Sequence, residues 1–569
     1  MLIAALLRHG LRLLFPLLLP IAIASTIWLY LYPIFQGCAF PLPAPHSARS
    51  AFLDTANRHV ALDSSFAQRR APFRLLTLGD PQLEGDTSIP NVYLGVMPHL
   101  KKLINHVTFK TKHYSLRQRV RQIMHSLVDV YFEDIPNELE SIRKRIDHFG
   151  NDFYLAHIYR TLDWWTIPTH ATVLGDLLGS QWIDDDEFER RGNRFWNRVF
   201  AGTQRVPDDL AQYPADEYDI AGYLGDFEPF TGNDSSSSQG LGDPTEWRRR
   251  LINVAGNHDI GYAGDLTEER LARFERVFGK ANYELRFELP VTDPALAASL
   301  FDEDTNVDSD RLIPELRIVV LNDMNLDTPA ISVPLQDATY KFINDVINTA
   351  SAVEFVGHFT LILTHIPLYK PAGVCVDSPF FDFHTEAEGG GVKEQNLLSG
   401  PASKGILEGM LGLSGNVLAA GGGMGRRGLV LNGHDHAGCD TYHFINQTNG
   451  TTSSERSWEA MRWNDAETRG VPGKAGHPGV REITVRSMMG DHHGNAGLLS
   501  MWFDEEDWTW KYEYAECRLG TPLAWWLVHI LDLVVVVGIV LRMGLAVSGL
   551  SLEEERSDRS AGRTQRKKL

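Results

Sequence analysis

Several short apolar runs in this chain break off into polar turns crowded with metal-ligand side chains. "LLTLGDPQLEGD" carries Asp80, Gln82, Glu84 and Asp86, and "ATVLGD" ends on Asp176. "LINVAGNHD" presents Asn257, His258 and Asp259, "FTLILTHIP" holds His365, and "LVLNGHDH" closes on His434 and His436. Carboxylates, amide oxygens and neutral imidazoles bind divalent cations, and one carboxylate can share its charge between two of them. A single Gly-Asp pair carries almost no information, and one histidine at a strand end is usually structural. Gly-Asn-His-Asp and Gly-His-Asp-His are far rarer, and five such turns in order point to a metal centre built from strand ends.

The elements that must position these turns alternate. Strand-like runs are separated by helical patterns, which predicts an α/β domain with its chemistry on strand-end loops. Beyond "GHDH", the runs "REITVRSM", "AGLLSMWF" and "WTWKYEYAE" read as further strands. "DEFERRGNRFWNRVF" is amphipathic, and Leu116, Val120, Ile123, Leu127 and Val130 form an apolar stripe at helical spacing. Asp176 follows Asp80 by 96 positions (176 − 80), far more than one strand–helix–strand crossover needs. The excess is a helical block over about 91–165. Packing against the core is the default for its stripe; gripping a bulky lipid-linked glycan is the alternative. "GNDSSSSQGLGD", "TEAEGGGVKEQ" and "LAAGGGMGRRG" read as exposed, mobile insertions.

Two apolar runs sit near the chain ends. Residues 13–35 carry no charge and exceed the roughly 20 residues that cross a bilayer, so they read as an uncleaved anchor rather than a signal peptide cut near Ala22 and Ala24. Residues 523–541 read as a second span, interrupted by His529 and Asp532 on one helical face. Arg8 and Arg12 precede the first span, and a basic tail follows the second, so 1–12 and 542–569 are expected in the cytosol. Residues 36–522 then form a lumenal or exterior domain. The sequons at Asn233, Asn446 and Asn449 agree with that side. The closing "QRKKL" reads equally as a solvated tail or an imperfect dilysine retrieval signal.

Four cysteines all fall in that domain. Cys38 lies just after the first span and Cys517 just before the second, so they are expected to pair, leaving Cys375 with Cys439; four buried thiols are the alternative. The net charge of −19 argues against a nucleic-acid partner. It also leaves positive potential for an anionic substrate to be supplied by bound ions.

The motif order resembles the calcineurin-like metallophosphoesterases, whose pattern is D-x-H, GD, GNH[DE], a lone His and GHxH. "GDPQLEGD", "VLGDLLGSQW", "NVAGNHDIGY" and "NGHDH", with a span at each end, look most like the fungal endoplasmic-reticulum branch that acts on glycosylphosphatidylinositol (GPI) anchors. The resemblance implies a four-layer αββα sandwich with a helical insertion, flanked by two transmembrane helices. It implies two divalent ions, one held by Asp80, Asp176 and His436, the other by Asp176, Asn257, His365 and His434. It makes His258 the catalytic residue, stabilising phosphoryl charge or protonating a leaving oxygen. The activity implied is phosphodiester hydrolysis that removes an ethanolamine-phosphate side group from a mannose of a lipid-linked GPI glycan or GPI-anchored protein. The place implied is the lumenal face of the endoplasmic-reticulum membrane.

Two positions depart from the pattern. Gln82 stands where the family has a ligand histidine; its harder oxygen favours Mn²⁺ or Mg²⁺ over Zn²⁺. Glu84 and Asp259 are further candidates for the ligand set or its surroundings, with a solvated or structural role the commoner one for residues so placed. Gly179 stands where related enzymes often carry an Asp or Asn near the catalytic histidine. His492 and His493 read as surface histidines, with pocket lining as the alternative. The competing functions are a phosphoesterase on another lipid-linked or soluble phosphate, and a non-catalytic membrane adaptor for anchored cargo with a degenerate site.

Overall fold

The computed structural model describes residues 2–43, 47–60, 70–90, 94–112, 115–225, 244–290, 311–448, 450, 452, 455–520 and 522–566. Asn233, Asn449, the serine-rich run and the last three residues of the basic tail lie outside them. The chain divides into two compact units, Gly37–Leu519 and the pair Met1–Gln36 with Gly520–Leu569.

The larger unit is built on two sheets. Phe73–Leu78, His170–Leu174 and Arg250–Val254 are adjacent parallel strands at the centre of a six-stranded sheet. Asn495–Asp504 and Thr509–Arg518 extend it antiparallel beside Phe73–Leu78. In the eight-stranded sheet, Arg311–Val320, Val356–Leu363, Gly428–Asn432 and Gly479–Thr484 run parallel. "FRLLTL" is buried at every position, as an inner parallel strand covered on both faces must be. Leu75, Leu174, Val254 and Leu499 of one sheet share a core with Phe287, Ile318, Leu361 and Leu431 of the other. That shared apolar layer fixes the two sheets against each other, so the carboxyl ends of their parallel strands are held as one rigid platform.

Disulfides join Cys38 to Cys517 and Cys375 to Cys439. The first ties together the two points at which this unit's chain begins and ends, with Cα atoms 5.5 Å apart.

The helical block consists of Pro98–Val107, Leu116–Asp129, a π-helical turn Val130–Asp134 and the long helix Ile135–Thr166. Ser115 starts the second helix by accepting from the Gln118 N–H. Buried Asp134 accepts from Leu100 N–H and from His99 Nδ1, tying the first helix to the π turn. Only the second half of the long helix is core: Tyr154, Leu155, Ile158, Leu162 and Trp165 are buried. The Leu116 stripe does not pack on the core, contrary to the default. Leu116 is 71% exposed, Val120 51% and Leu127 49%.

"TEAEGGGVKEQ" is also not the loose insertion expected. Val392–Gln395 pairs with Phe381–Phe383, and Gln395 is buried.

In the smaller unit, the N-terminal helix runs Leu2–Tyr30 and not 13–35. Pro33 lacks the N–H that would continue the helical ladder, so a break at Leu31 precedes the short turn Tyr32–Phe35. The C-terminal helix, Pro522–Arg566, contains a stretch long and apolar enough to cross a membrane, Pro522–Val547. Leu14–Tyr30 is a shorter apolar stretch. The polar groups of the C-terminal helix face the other helix: Thr26 Oγ1 lies 2.9 Å from both Asp532 oxygens, and Tyr30 OH 3.3 Å from His529 Nε2.

Candidate metal centre

Each motif residue follows the carboxyl end of a parallel strand, and the close approaches between these turns require glycine. A Cβ on Gly175 would lie 2.1 Å from His365 Nδ1, and one on Gly256 would lie 2.1 Å from the Asp176 amide nitrogen. The glycines of the Gly-Asp and Gly-Asn-His-Asp motifs therefore let one turn nest in the next. Backbone bonds sew the first two turns together, from Gln82 N–H to Asp176 O, Leu83 N–H to Leu177 O, and Gly179 N–H to Leu83 O. Gly179 thus serves as a close-packing position. A Cβ there would sit 3.3 Å from the Gln82 carbonyl.

Asp176, His365 and His434 bring one ligand atom each within 4.8 Å of one another, and so do Asp80, Asp176 and His436. Either group could hold a metal ion, and Asp176 belongs to both. Asn257 joins the first group, its Oδ1 3.0 Å from His365 Nε2. All six residues expected as ligands are thus together.

The surroundings fix how each ligand points. His365 Nδ1 donates to the Leu174 carbonyl, which leaves Nε2 with its lone pair toward Asn257 and Asp176. His434 Nε2 donates to the Gln395 carbonyl, so Nδ1 is the nitrogen free to bind. Burial drives His434 down to about 3, His436 down to about 4, and His365 down as well. All three are neutral at neutral pH, the form that ligates metal. Burial works to raise the Asp176 carboxyl, but His365, His258 and His434 outweigh it and hold it at about 2. Asp80 is pushed well up, by burial and then by the charge of Asp176. Its Oδ2 is buried without a hydrogen-bond partner. An orphaned carboxylate oxygen beside a second buried carboxylate is the donor set a divalent cation would complete, so the residues fit the implied ions.

The backbone is strained here too. Asp80, Gln82, Asp176 and His434 all have positive φ, between 40° and 69°. These are four of the nine such non-glycine residues among the described residues, a concentration typical of sites that the surrounding fold over-determines.

The remaining candidates separate. Gln82 lies inside the site, its Nε2 2.9 Å from Asp176 Oδ2 and 3.2 Å from His436 Nε2; turning the amide over would present Oε1 instead. Glu84 points elsewhere. Its carboxylate faces His148 and Lys144 of the long helix, and the hydrogen bond from His148 leads in lowering it to about 2. Asp259 is structural, accepting from the N–H groups of Leu177, Leu178 and Gly256 and so clamping the Asp176 turn. His258 donates its backbone N–H to Asp176 Oδ1, while its ring lies at the mouth of the site, 38% exposed, with Nε2 3.9 Å from Asp176 Oδ2.

His492 and His493 are not simple surface histidines. They line a cavity of about 550 Å³ together with His436, Arg462 and Arg486, and the His492 ring meets His436 edge-on at 4.7 Å. Two contributors escaped the sequence. The Gln395 carbonyl orients His434, and Ser487 donates its hydroxyl to the Asp80 carbonyl. A backbone carbonyl leaves no mark in side-chain identity, so no signal could have revealed the first. Asn446 stands at a turn where its Oδ1 accepts from Thr448.

No protein-family model matches the sequence. The chain is 31% identical over 417 residues to Protein TED1 of Saccharomyces cerevisiae, covering 69% of this chain and 77% of that protein. It is 25% identical over 398 residues to an uncharacterized protein of Schizosaccharomyces pombe, covering 68% and 78% respectively.

Proposed function

The chain belongs to the family of Saccharomyces cerevisiae Protein TED1, and we propose that it is a two-metal phosphodiesterase of the calcineurin-like kind. The observation that carries the reading is the pair of ligand groups sharing Asp176. Asp80, Asp176 and His436 would hold one divalent ion, and Asp176, Asn257, His365 and His434 the other, with Mn²⁺ favoured by the oxygen-rich set. Such ions supply Lewis acidity and an activated water for in-line phosphoryl displacement. The two sheets then act as an αββα metallophosphoesterase scaffold.

The chain's own residues do the rest. His258, half-exposed at the mouth, stabilises charge on the phosphoryl oxygens or gives a proton to the departing sugar oxygen. Asp259 and the nested turns keep Asp176 in place through both. The neighbouring cavity, lined by His492, His493, Arg462 and Arg486 and also by Asp491 and Glu516, has carboxylates that suit the ammonium of an ethanolamine group attached to the phosphate.

The substrate we propose is the ethanolamine-phosphate side group on a mannose of a GPI anchor. The C-terminal apolar helix, with the N-terminal one beside it in the same unit, would anchor the enzyme in the endoplasmic-reticulum membrane, both termini cytosolic and the site lumenal. A lipid-tailed substrate would then lie in the same bilayer. Gln82 favours a second reading. Its Nε2 bonded to the shared carboxylate fits a site that recognises anchored cargo without turning it over.

Elemental analysis of the detergent-purified full chain after dialysis against excess Mn²⁺ tests the metal reading, with two equivalents expected. Mass comparison of anchor glycans incubated with and without the protein tests the substrate, with loss of one ethanolamine-phosphate expected. Two bound ions and unchanged glycans would transfer the protein to another phosphate ester. One ion or none would favour the adaptor.

A further inference from the structure

The helical block is unlike the rest of the chain in both charge and surface. From Thr87 to Val128 the sequence holds seven Lys and Arg and no Asp or Glu, within a protein of net charge −19. Six of the seven, Lys101, Lys102, Lys110, Lys112, Arg117 and Arg121, are exposed. The seventh, Arg119, is used internally, bonding the carbonyls of His106 and Thr111 and covering the Phe109 ring. The first two helices of the block therefore supply a fixed positive surface, and bound ions are not this chain's sole source of positive potential.

Interleaved with those charges is apolar surface that nothing in the fold covers. Leu116, Val120 and Leu127 lie exposed along one helix, and Phe132 (69%) and Leu139 (64%) continue the surface through the π turn into the long helix. The long helix buries its second half and leaves Ile142 and Ile146 of its first half exposed. Isolated exposed apolar residues need no explanation, but a contiguous set on successive helical turns does. Mixed apolar and basic helical surface is the composition of segments that lie in the headgroup layer of a bilayer.

A bilayer is also the surface this unit can least avoid. The helix able to cross a membrane begins at Pro522, five positions after Cys517 (522 − 517), and Cys517 is bonded to Cys38. A tether this short keeps the larger unit at high effective concentration next to the lipid. We propose that the helical block, Pro98 to Phe149, is an interfacial membrane-binding element, its apolar stripes entering the headgroup region and the exposed lysines and arginines of its first two helices pairing with anionic lipid phosphates. This assignment needs the membrane helix but not the hydrolase reading.

All four cysteines are bonded, so an introduced cysteine can be labelled alone. Val120→Cys and Leu139→Cys, with Leu418→Cys on an exposed loop outside the block as control, are labelled with an environment-sensitive dye in the full chain. Each is reconstituted into vesicles of phosphatidylcholine with a minority of phosphatidylserine, and quenching by spin-labelled lipid is read. Quenching at positions 120 and 139 at least about twofold above position 418 is expected. Equal quenching at all three overturns the proposal. A dye shift that grows with protein concentration without lipid quenching also overturns it, assigning the face to a second protein surface. Replacing Lys101, Lys102, Arg117 and Arg121 by Ser should lower the quenching toward the value in pure phosphatidylcholine, and no change would remove the anionic-lipid part. An unchanged circular-dichroism spectrum and thermal midpoint report that the variants are folded.

Discussion

The strand-end cluster and the helical block solve opposite problems with the same chain. In the cluster, charged groups are buried, glycines let neighbouring turns approach where a Cβ would clash, and four residues are held at positive φ. In the block, apolar groups are exposed and the helices are joined through a π turn and one buried aspartate. Buried charge and strain are tolerated only where a rigid core over-determines the geometry, here the layer shared by two sheets. Exposed apolar surface persists only where something outside the fold receives it. The first region is specified inwardly and the second outwardly.

Four measurements would break or sharpen that contrast. Asp176→Asn removes the one carboxylate common to both ligand groups, so turnover should fall by about 10⁴-fold or more with loss of both ions. Retention of one ion with substantial turnover would mean that the two groups act independently. His258→Ala should keep both ions and lower turnover by roughly 10²–10⁴-fold, since its ring is half-exposed at the mouth and belongs to neither ligand group. Parallel loss of metal would move it from chemistry to architecture.

The third measurement compares burial directly. Leu155→Ala empties a fully buried position on the long helix and should cost about 2–5 kcal/mol of stability. Leu127→Ala, on the exposed stripe, should stay within about 0.5 kcal/mol. Similar losses at both sites, read by denaturation of the full chain in detergent, would show that the block packs inwardly after all.

The fourth is pH. His434 and His436 are held below the ordinary histidine value near 6.5. Between that value and about 4 the unfolded chain binds protons that the metal-free folded chain refuses. Stability is therefore full above about pH 6.5 and falls as pH drops toward 4. Thermal unfolding of the metal-free protein at pH 7 and pH 5 should show a lower midpoint at pH 5. Bound metal should displace the loss to lower pH still, because it competes with the proton for the same nitrogens.

Much of the cluster was legible because its information is local. Gly-Asp, Gly-Asn-His-Asp and Gly-His-Asp-His each combine a ligand with the glycine its turn requires, and each follows an apolar strand that the pattern marks. The six expected ligands converge for that reason. Glu84 and Asp259 could not be sorted by the same logic, since each lies within four positions of a ligand in the same turn, as Gln82 does. Only the position of His148 and Lys144 draws Glu84 away, and only three converging N–H groups make Asp259 a clamp.

The helical block misled in the other direction. Its stripe was visible, and a stripe predicts burial, but periodicity reports that one helical face is apolar and not what covers it.

By itself, then, the sequence determined the strand ends, the ligand types, the alternation of elements and the apolar run able to cross a membrane. All of these are written in local spacing and residue chemistry. The tertiary structure alone decided that the Gln82 amide points at Asp176, that the Gln395 carbonyl aims His434, that Glu84 turns away to the long helix, and that the Leu116 stripe is left uncovered. Each depends on which distant segments meet, and that is settled by how two sheets bury one core.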